Sequence, residues 1–380
     1  MESSSEVSGS ASRSEVAAAA SPADHAYMRR ALVLAERGWG RVAPNPLVGC
    51  VLVRDGEVVG EGWHAEYGRA HAEVVALLAA GERARGATAY VTLEPCSHHG
   101  KTPPCTSALI EAGVARVVYA ASDPHPAARG GAEVLRAAGI PVVGGVEEAV
   151  ARDQNASFFH RYSPLGNERP WIELKLALSL DARIADRRGQ SSWITDEKAR
   201  AEVHRLRAGH DAICVGVGTA LADDPRLTVR GAIEPRVPPV RVVFDRSLRL
   251  PTDSTLVRTA NEVPVWIVCA PQADPARREV LEQRGIALVE AEDLRQGFRA
   301  LRERGIGSAF VEGGAGIAGE LLREGMVDRL TLFYAPVLLG AEALSPFTLE
   351  GWELGEAPRW RRFRTAAFGP DTLISLAKPD

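Results

Sequence analysis

His71 and Glu73 stand two residues apart, and Cys96 and Cys105 follow further along the chain. One imidazole and two thiols suit a catalytic zinc, which takes three protein ligands and keeps its fourth position for water. Such a metal lowers the pKa of bound water from about 16 to about 7. Glu73, so close to His71, can face the open position without being a ligand. It could take the water's proton and pass it to a substrate ring and its leaving amine. His71, Cys96 and Cys105 are therefore candidate ligands for one zinc per chain, and Glu73 the candidate catalytic acid and base.

The order H-x-E…P-C-x-x-C marks zinc-dependent base deaminases. Here eight residues separate the cysteines, Ser97-His98-His99-Gly100-Lys101-Thr102-Pro103-Pro104. Pro104 suits the first turn of a helix starting at Cys105. His98 or His99 could supply a fourth ligand, which would make the site structural instead.

A second constellation lies at Val311-Glu312-Gly313-Gly314-Ala315-Gly316-Ile317, between an expected strand and helix. Glycines there let the backbone approach a diphosphate at the helix N-terminus. The spacing is neither a G-x-G-x-x-G fingerprint nor a full Walker A motif.

Two sets of elements must position these groups. In the first half, Tyr27, Ala31, Leu34 and Ala35 repeat at helical spacing, with Gly38 as an expected left-handed cap. Asp55-Gly56 between the runs 48–53 and 58–59 predicts a hairpin. Helices are expected at 70–80, closed by Gly81, and at 104–113 and 131–138. Strands are expected at 87–92, 115–121 and 142–143. Residues 163–170, with two prolines and a glycine, read as a linker. Beyond it a strand is expected at 171–178 and a helix at 196–207 with Thr195 as N-cap. Further strands are expected at 212–215, 240–244, 263–269, 286–289 and 308–311, and helices at 293–304 and 315–323. This alternation predicts two α/β domains of unlike size, with sheets covered on both faces.

Composition narrows the class. The 380 residues include 45 basic and 49 acidic side chains, a net charge of -4 that gives no support to nucleic-acid binding. No apolar run approaches the roughly 20 residues that cross a bilayer. Five cysteines argue for a reducing compartment, hence a cytoplasmic location. Residues 1–23, rich in Ser, Ala and Glu, read as a disordered tail.

Thr92-Leu-Glu-Pro-Cys-Ser-His-His-Gly-Lys-Thr-Pro-Pro-Cys105 and Pro44-Asn45-Pro46-Leu47-Val48-Gly49-Cys50-Val51 resemble the deaminase half of the bifunctional riboflavin-biosynthesis deaminase/reductases. Leu174-Lys175-Leu176-Ala177-Leu178-Ser179-Leu180-Asp181, Ser191-Ser192-Trp193-Ile194-Thr195 and the run 216–225 resemble their reductase half. The resemblance implies a cytidine-deaminase-like three-layer α/β/α domain over 24–166 and a dihydrofolate-reductase-like α/β domain over 167–380. It implies hydrolysis of a ring amine on a diamino-pyrimidinone ribosylamino phosphate, then NADPH reduction of the ribosyl group to ribityl. By position, Asn45, His64, His98, Lys101 and His125 meet the pyrimidine or its phosphate. Ala177, Trp193, Thr219, Asp223, Arg246, Ser247, Gly314, Ala315 and Gly316 line the NADPH site. Lys175, Ser191, Arg207, Arg230 and Glu312 meet the substrate of the reduction. The resemblance also suggests a homo-oligomer acting on a small molecule, with no nucleic-acid or membrane partner. A nucleic-acid base deaminase, or a zinc-stabilised protein with an inactive site, is the alternative.

Three positions depart from the family pattern: Ala70 for proline before the zinc histidine, His125 for asparagine, and Ala182 for glycine after Ser-Leu-Asp. An imidazole replaces one amide hydrogen bond but not both. The turn at Ala182 is expected to be altered if the glycine needs positive φ.

Overall fold

A computed structural model describes residues 20–98, 103–191 and 194–378. The first sheet is built from β1 (Gly49–Arg54), β2 (Glu57–Trp63), β3 (Thr88–Leu93), β4 (Arg116–Ala121) and β5 (Val142–Val143). Its strand order is β2-β1-β3-β4-β5. β1 runs antiparallel to both neighbours, and β3, β4 and β5 are parallel. Asp55 and Gly56 both take positive φ at the hairpin, as that turn demands.

Alternate residues of β1 feed two cores. Cys50 and Leu52 face α2 (Ala72–Ala80) and α3 (Cys105–Ala112), while Val51 and Val53 face α1 (Pro22–Ala35). Gly60 and Gly62 on β2 leave no room for a Cβ against the carbonyls of Ala76 and Ala72. The start of α2, and with it the candidate zinc histidine, is thereby seated on the sheet. Helices α4 (Gly131–Ala137), α5 (Glu148–Gln154) and α6 (Ala156–Arg161) complete this half.

The second sheet has nine strands in the order β10-β9-β8-β7-β11-β6-β12-β14-β13. A short helix α7 (Pro164–Glu168) leads into β6 (Trp171–Ser179), followed by α8 (Glu197–Ala208), β7 (Ala212–Gly216), α9 (Val217–Asp223) and β8 (Val240–Phe244). Then come α10 (Thr255–Arg258), β9 (Val265–Cys269), α11 (Pro275–Gln283), β10 (Ala287–Glu290), α12 (Leu294–Glu303), β11 (Ser308–Glu312) and α13 (Ala315–Arg323). β12 (Arg329–Ala335) is the last parallel strand, and the hairpin β13 (Arg361–Phe368) and β14 (Asp371–Ala377) closes the edge. Between its parallel neighbours β6 carries Ile172, Leu174, Leu176 and Leu178, all buried.

Four expectations are corrected. The tail does not reach residue 23: Ser21 caps α1, and Asp24 answers it in a capping box. Residues 1–19 lie outside the described residues. Gly38 takes no left-handed turn; α1 runs into a 3-10 turn, and Gly38 packs against the carbonyl of His64. The presumed linker is ordered: Ser163 caps α7, and Arg169 lies buried against Asp328 at 2.5 and 2.7 Å. Asp196, not Thr195, caps α8, because its carboxylate reaches the Lys198 amide. Strands β12, β13 and β14 had no counterpart among the expected elements.

The two sheets meet through side chains. The Trp39 indole donates to the Arg205 carbonyl at 2.6 Å, Arg361 pairs with Asp153, and Arg236 donates to the Ala43 carbonyl at 2.7 Å. Among the described residues no helix is long and apolar enough to cross a membrane.

Candidate active sites

Both ends of the zinc constellation are helix starts. His71 is the N-cap of α2, with Glu73 in its first turn, and Cys105 is the first residue of α3. Cys96 lies three residues beyond the end of β3. The start of α3 aims the Cys105 amide at Cys96 and so favours the thiolate form of that ligand. His71 Nδ1 lies 3.2 Å from Cys105 Sγ and 3.7 Å from Cys96 Sγ, and the Cys105 amide donates to Cys96 Sγ at 3.4 Å. The three ligand atoms all fall within 4.8 Å of one another. Zinc bonds of about 2.1 Å to nitrogen and 2.3 Å to sulfur at a tetrahedral angle would separate such atoms by about 3.6 Å. The donor set fits zinc.

Hydrogen bonds from Cys105 and His71 outweigh burial and hold the Cys96 thiol well below its usual range, whereas that shared bond and burial push Cys105 up. Burial also pushes Glu73 above the usual carboxylate range, which suits a group that must accept and release a proton. His98 does not join the cluster. Its ring stacks on His125 at 6.0 Å; among the described residues the cluster holds His71, Cys96 and Cys105, and His99, the other candidate fourth ligand, lies outside them.

A cavity of about 310 Å³ opens onto this centre. Asn45, His64, His98 and His125 all line it. His64 Nδ1 donates to the Ala70 carbonyl at 3.1 Å, so Nε2 accepts from Asn45 Nδ2 at 3.2 Å. Asn45 is left with its carbonyl oxygen and a second N–H for a ligand, and His64 acts on Asn45. The Ala127 amide donates to His125 Nδ1 at 3.1 Å, leaving Nε2–H as that ring's donor. Lys101 lies outside the described residues.

Sequence reasoning missed Glu94, Phe158, Arg161 and Tyr162. Buried Glu94 accepts from the Asp123, Gly130 and Ala132 amides at 3.0 to 3.3 Å, tying the His125 loop to the strand that precedes Cys96. Tyr162 meets His125 edge-on at 4.9 Å. The aromatic run from Phe158 to Tyr162 was the available signal.

In the second sheet, β11 lies between β6 and β7, and the C-terminal ends of such parallel strands are where α/β sheets bind ligands. Glu312 is the register neighbour of Lys175. Arg207 grips Glu312 through Nε and through Nη2 at 2.9 Å, and donates to the Thr228 carbonyl at 2.9 Å. Burial pushes the Lys175 amine down, opposed by the charge of Glu312. Gly314 caps α13; a Cβ there would sit 2.8 Å from Thr219 Oγ1, so that glycine lets the two turns meet. Ala315 and Gly316 open α13, and Ala177 lies further along β6.

Ser191 Oγ donates to Asp223 at 3.0 Å. Arg230 is exposed, its amide held by His204 Nδ1 at 3.2 Å. Arg246 and Ser247 are exposed beyond β8, one strand outside β7, and Arg246 donates to the Glu292 carbonyl. Trp193 lies outside the described residues. Ala182 takes φ +56, so the turn is kept in the left-handed form and not altered.

One sheet thus carries a hydrolytic zinc-type centre with a buried carboxylate, and the other a charged cluster and a glycine turn at parallel strand ends: the class is a two-domain enzyme joining a deaminase to a reductase. Residues 170–374 match the family described as RibD C-terminal domain, and residues 21–121 the cytidine and deoxycytidylate deaminase zinc-binding region. The riboflavin biosynthesis protein RibD of Escherichia coli is 44% identical over 369 residues, covering 93% of this chain and 99% of that protein. That of Aquifex aeolicus is 41% identical, covering 92% and 97%. Acinetobacter baumannii RibD, form 1, superposes with a TM-score of 0.79 at 38% identity, covering 94% of this chain and 99% of that one. A Thermotoga maritima diaminohydroxyphosphoribosylaminopyrimidine deaminase/5-amino-6-(5-phosphoribosylamino)uracil reductase gives 0.78 at 35%, with the same coverage. The chain belongs to the RibD family of bifunctional deaminase/reductases of riboflavin biosynthesis.

Proposed function

We propose that the half over 24–166 hydrolyses the ring amine of a diamino-pyrimidinone ribosylamino phosphate, and that the half over 167–380 reduces the ribosyl group of the product to ribityl with NADPH. The observation that carries the reading is the convergence of His71, Cys96 and Cys105 at two helix starts, with Glu73 buried beside them. Zinc in this site supplies an activated water. Glu73 moves the proton, Asn45 offers its carbonyl oxygen to a ring N–H, and His125 offers Nε2–H to a ring acceptor. In the second half Thr219 and the Gly314 to Gly316 turn hold the cofactor. Lys175, Arg207 and Glu312 form the charged cluster at the strand ends and face the ribosyl substrate. The binding roles of Lys101, His98, Ala177, Trp193, Asp223, Arg246, Ser247, Ser191 and Arg230 are part of this proposal. A homo-oligomer working in the cytoplasm is the accompanying reading; five free cysteines accord with a reducing location.

The test follows ammonia release and NADPH oxidation by the zinc-loaded protein given that substrate. Ammonia should appear without NADPH, and NADPH should be consumed afterwards. Glu73→Gln should keep zinc and lose about 10²- to 10⁴-fold of the ammonia rate. Unchanged ammonia release in that variant would refute the role of Glu73.

A further inference from the structure

Arg161, at the end of α6, lines the zinc-centre cavity. It also lines a second cavity of about 410 Å³ between the two sheets, and Pro44, Asn45 and Phe158 are shared by both. Arg161 therefore stands where the active-site cavity opens toward the other half of the molecule.

Its pairing is unlike that of the buried arginines. Arg169 grips Asp328 at 2.5 and 2.7 Å, and Arg207 grips Glu312 through two nitrogens. Arg161 instead sits 4.0 Å from Asp211, too far for a hydrogen bond, with both side chains 29% exposed. The nearer oxygen of Asp211 is already engaged by the Gly307 and Ser308 amides at 2.8 and 3.0 Å and by the Ser308 hydroxyl at 3.3 Å. The guanidinium is thus placed by charge while keeping N–H donors for something else. Gly307 makes the space: a Cβ there would lie 2.5 Å from Arg161 Nη2.

We infer that Arg161 anchors the phosphate of the substrate in the deaminase half, and that Asp211 and Gly307 of the other half hold it in position. This rests on the reading above, in which the ring amine meets the zinc centre and the phosphate hangs at the far end of the ribosyl chain, toward the cavity mouth. A guanidinium offers a forked set of donors that matches phosphate oxygens. Arg69, the other arginine lining this cavity, is exposed on the loop before His71 and has no such positioning. The deaminase site is then completed by contacts from the reductase half, so the two halves are coupled through one side chain.

Ammonia release would be measured with the phosphorylated substrate and its dephosphorylated counterpart. Charge-assisted hydrogen bonds of this kind predict that Arg161→Gln raises KM for the phosphorylated substrate about 10- to 100-fold and leaves the dephosphorylated one unchanged. Arg161→Lys should recover part of the loss. Gly307→Ala, in the other half, should shift KM in the same direction. Zinc content and melting temperature report whether each variant is folded. Equal losses on both substrates in folded Arg161→Gln, with wild-type turnover intact, would overturn the anchor alone. No ammonia from either substrate with the wild-type protein would overturn the deaminase reading and the anchor with it.

Discussion

Asn45 donates to His64 Nε2 at 3.2 Å, and His64 is itself fixed by donating Nδ1–H to the Ala70 carbonyl at 3.1 Å. The chain of donors sets which way the Asn45 amide faces: one N–H goes to His64, and the oxygen and the second N–H remain for the cavity. Burial pushes the imidazole of His64 below its ordinary range, which keeps Nε2 free to accept. Ala70 contributes its carbonyl, which a proline there would contribute equally, so that departure leaves the relay untouched.

The relay predicts coupled losses. Asn45→Ala should reduce kcat/KM for ammonia release by about 100-fold, and His64→Ala by about 10-fold through misorientation of the amide. The double variant should be no worse than Asn45→Ala. Fully additive losses would mean that His64 has a task of its own.

Glu312 and Arg207 predict a pH dependence of stability. Burial alone would raise Glu312, but the charge and hydrogen bonds of Arg207, with Lys175, bring it from 4.5 down to about 2. A carboxylate depressed in the folded state stabilises fully above its unfolded value, and that stabilisation is lost as pH falls through about 2. The shift corresponds to roughly 3 kcal/mol. Urea melts should show wild type well above Glu312→Gln at pH 7, with the gap closing between pH 4.5 and 2. A constant gap over that range would exclude the pair as the cause.

Ala182 predicts a stabilising substitution. Its φ of +56 is a conformation that costs an L-residue about 1 to 2 kcal/mol. The turn survives because Asp181 accepts from Ser179 Oγ at 2.7 Å and from the Leu339 and Gly340 amides at 3.0 and 2.7 Å. Ala182→Gly should raise stability by about 0.5 to 1 kcal/mol once the greater freedom of unfolded glycine is subtracted. Calorimetry that shows a lower melting temperature would contradict this.

Asp24 predicts a large loss. It is buried, yet Arg116 at 2.7 and 3.1 Å, the Ser21 amide and hydroxyl at 2.8 and 2.9 Å and the Tyr90 hydroxyl at 2.9 Å surround it. Burial would raise its carboxyl, but these partners hold it well below the usual carboxylate range. Asp24→Ala removes one half of the α1 capping box and strands Arg116, with an expected cost of about 3 kcal/mol in denaturant melts. A loss under about 1 kcal/mol would show that the network is dispensable.

What the sequence alone determined was short-range and chemically restrictive. Few residue types ligate zinc, so His71, Cys96 and Cys105 were legible despite the long cysteine spacing. Asp55-Gly56 named its hairpin because few residues tolerate positive φ, and the alternating apolar runs named the two α/β sheets. Local rules also misled: proline and glycine at 163–170 suggested a linker, whereas Ser163 with Pro164 starts a helix that packs on α12, where Arg302 donates to the Gly166 carbonyl at 2.6 Å. Tertiary structure decided which polar groups satisfy one another. Arg207 meets Glu312, Glu94 meets the 123–132 segment, and Arg169 meets Asp328 across chain separations that carry no local pattern. Buried charge must find a partner, but only the packing of distant strands determines which partner is within reach.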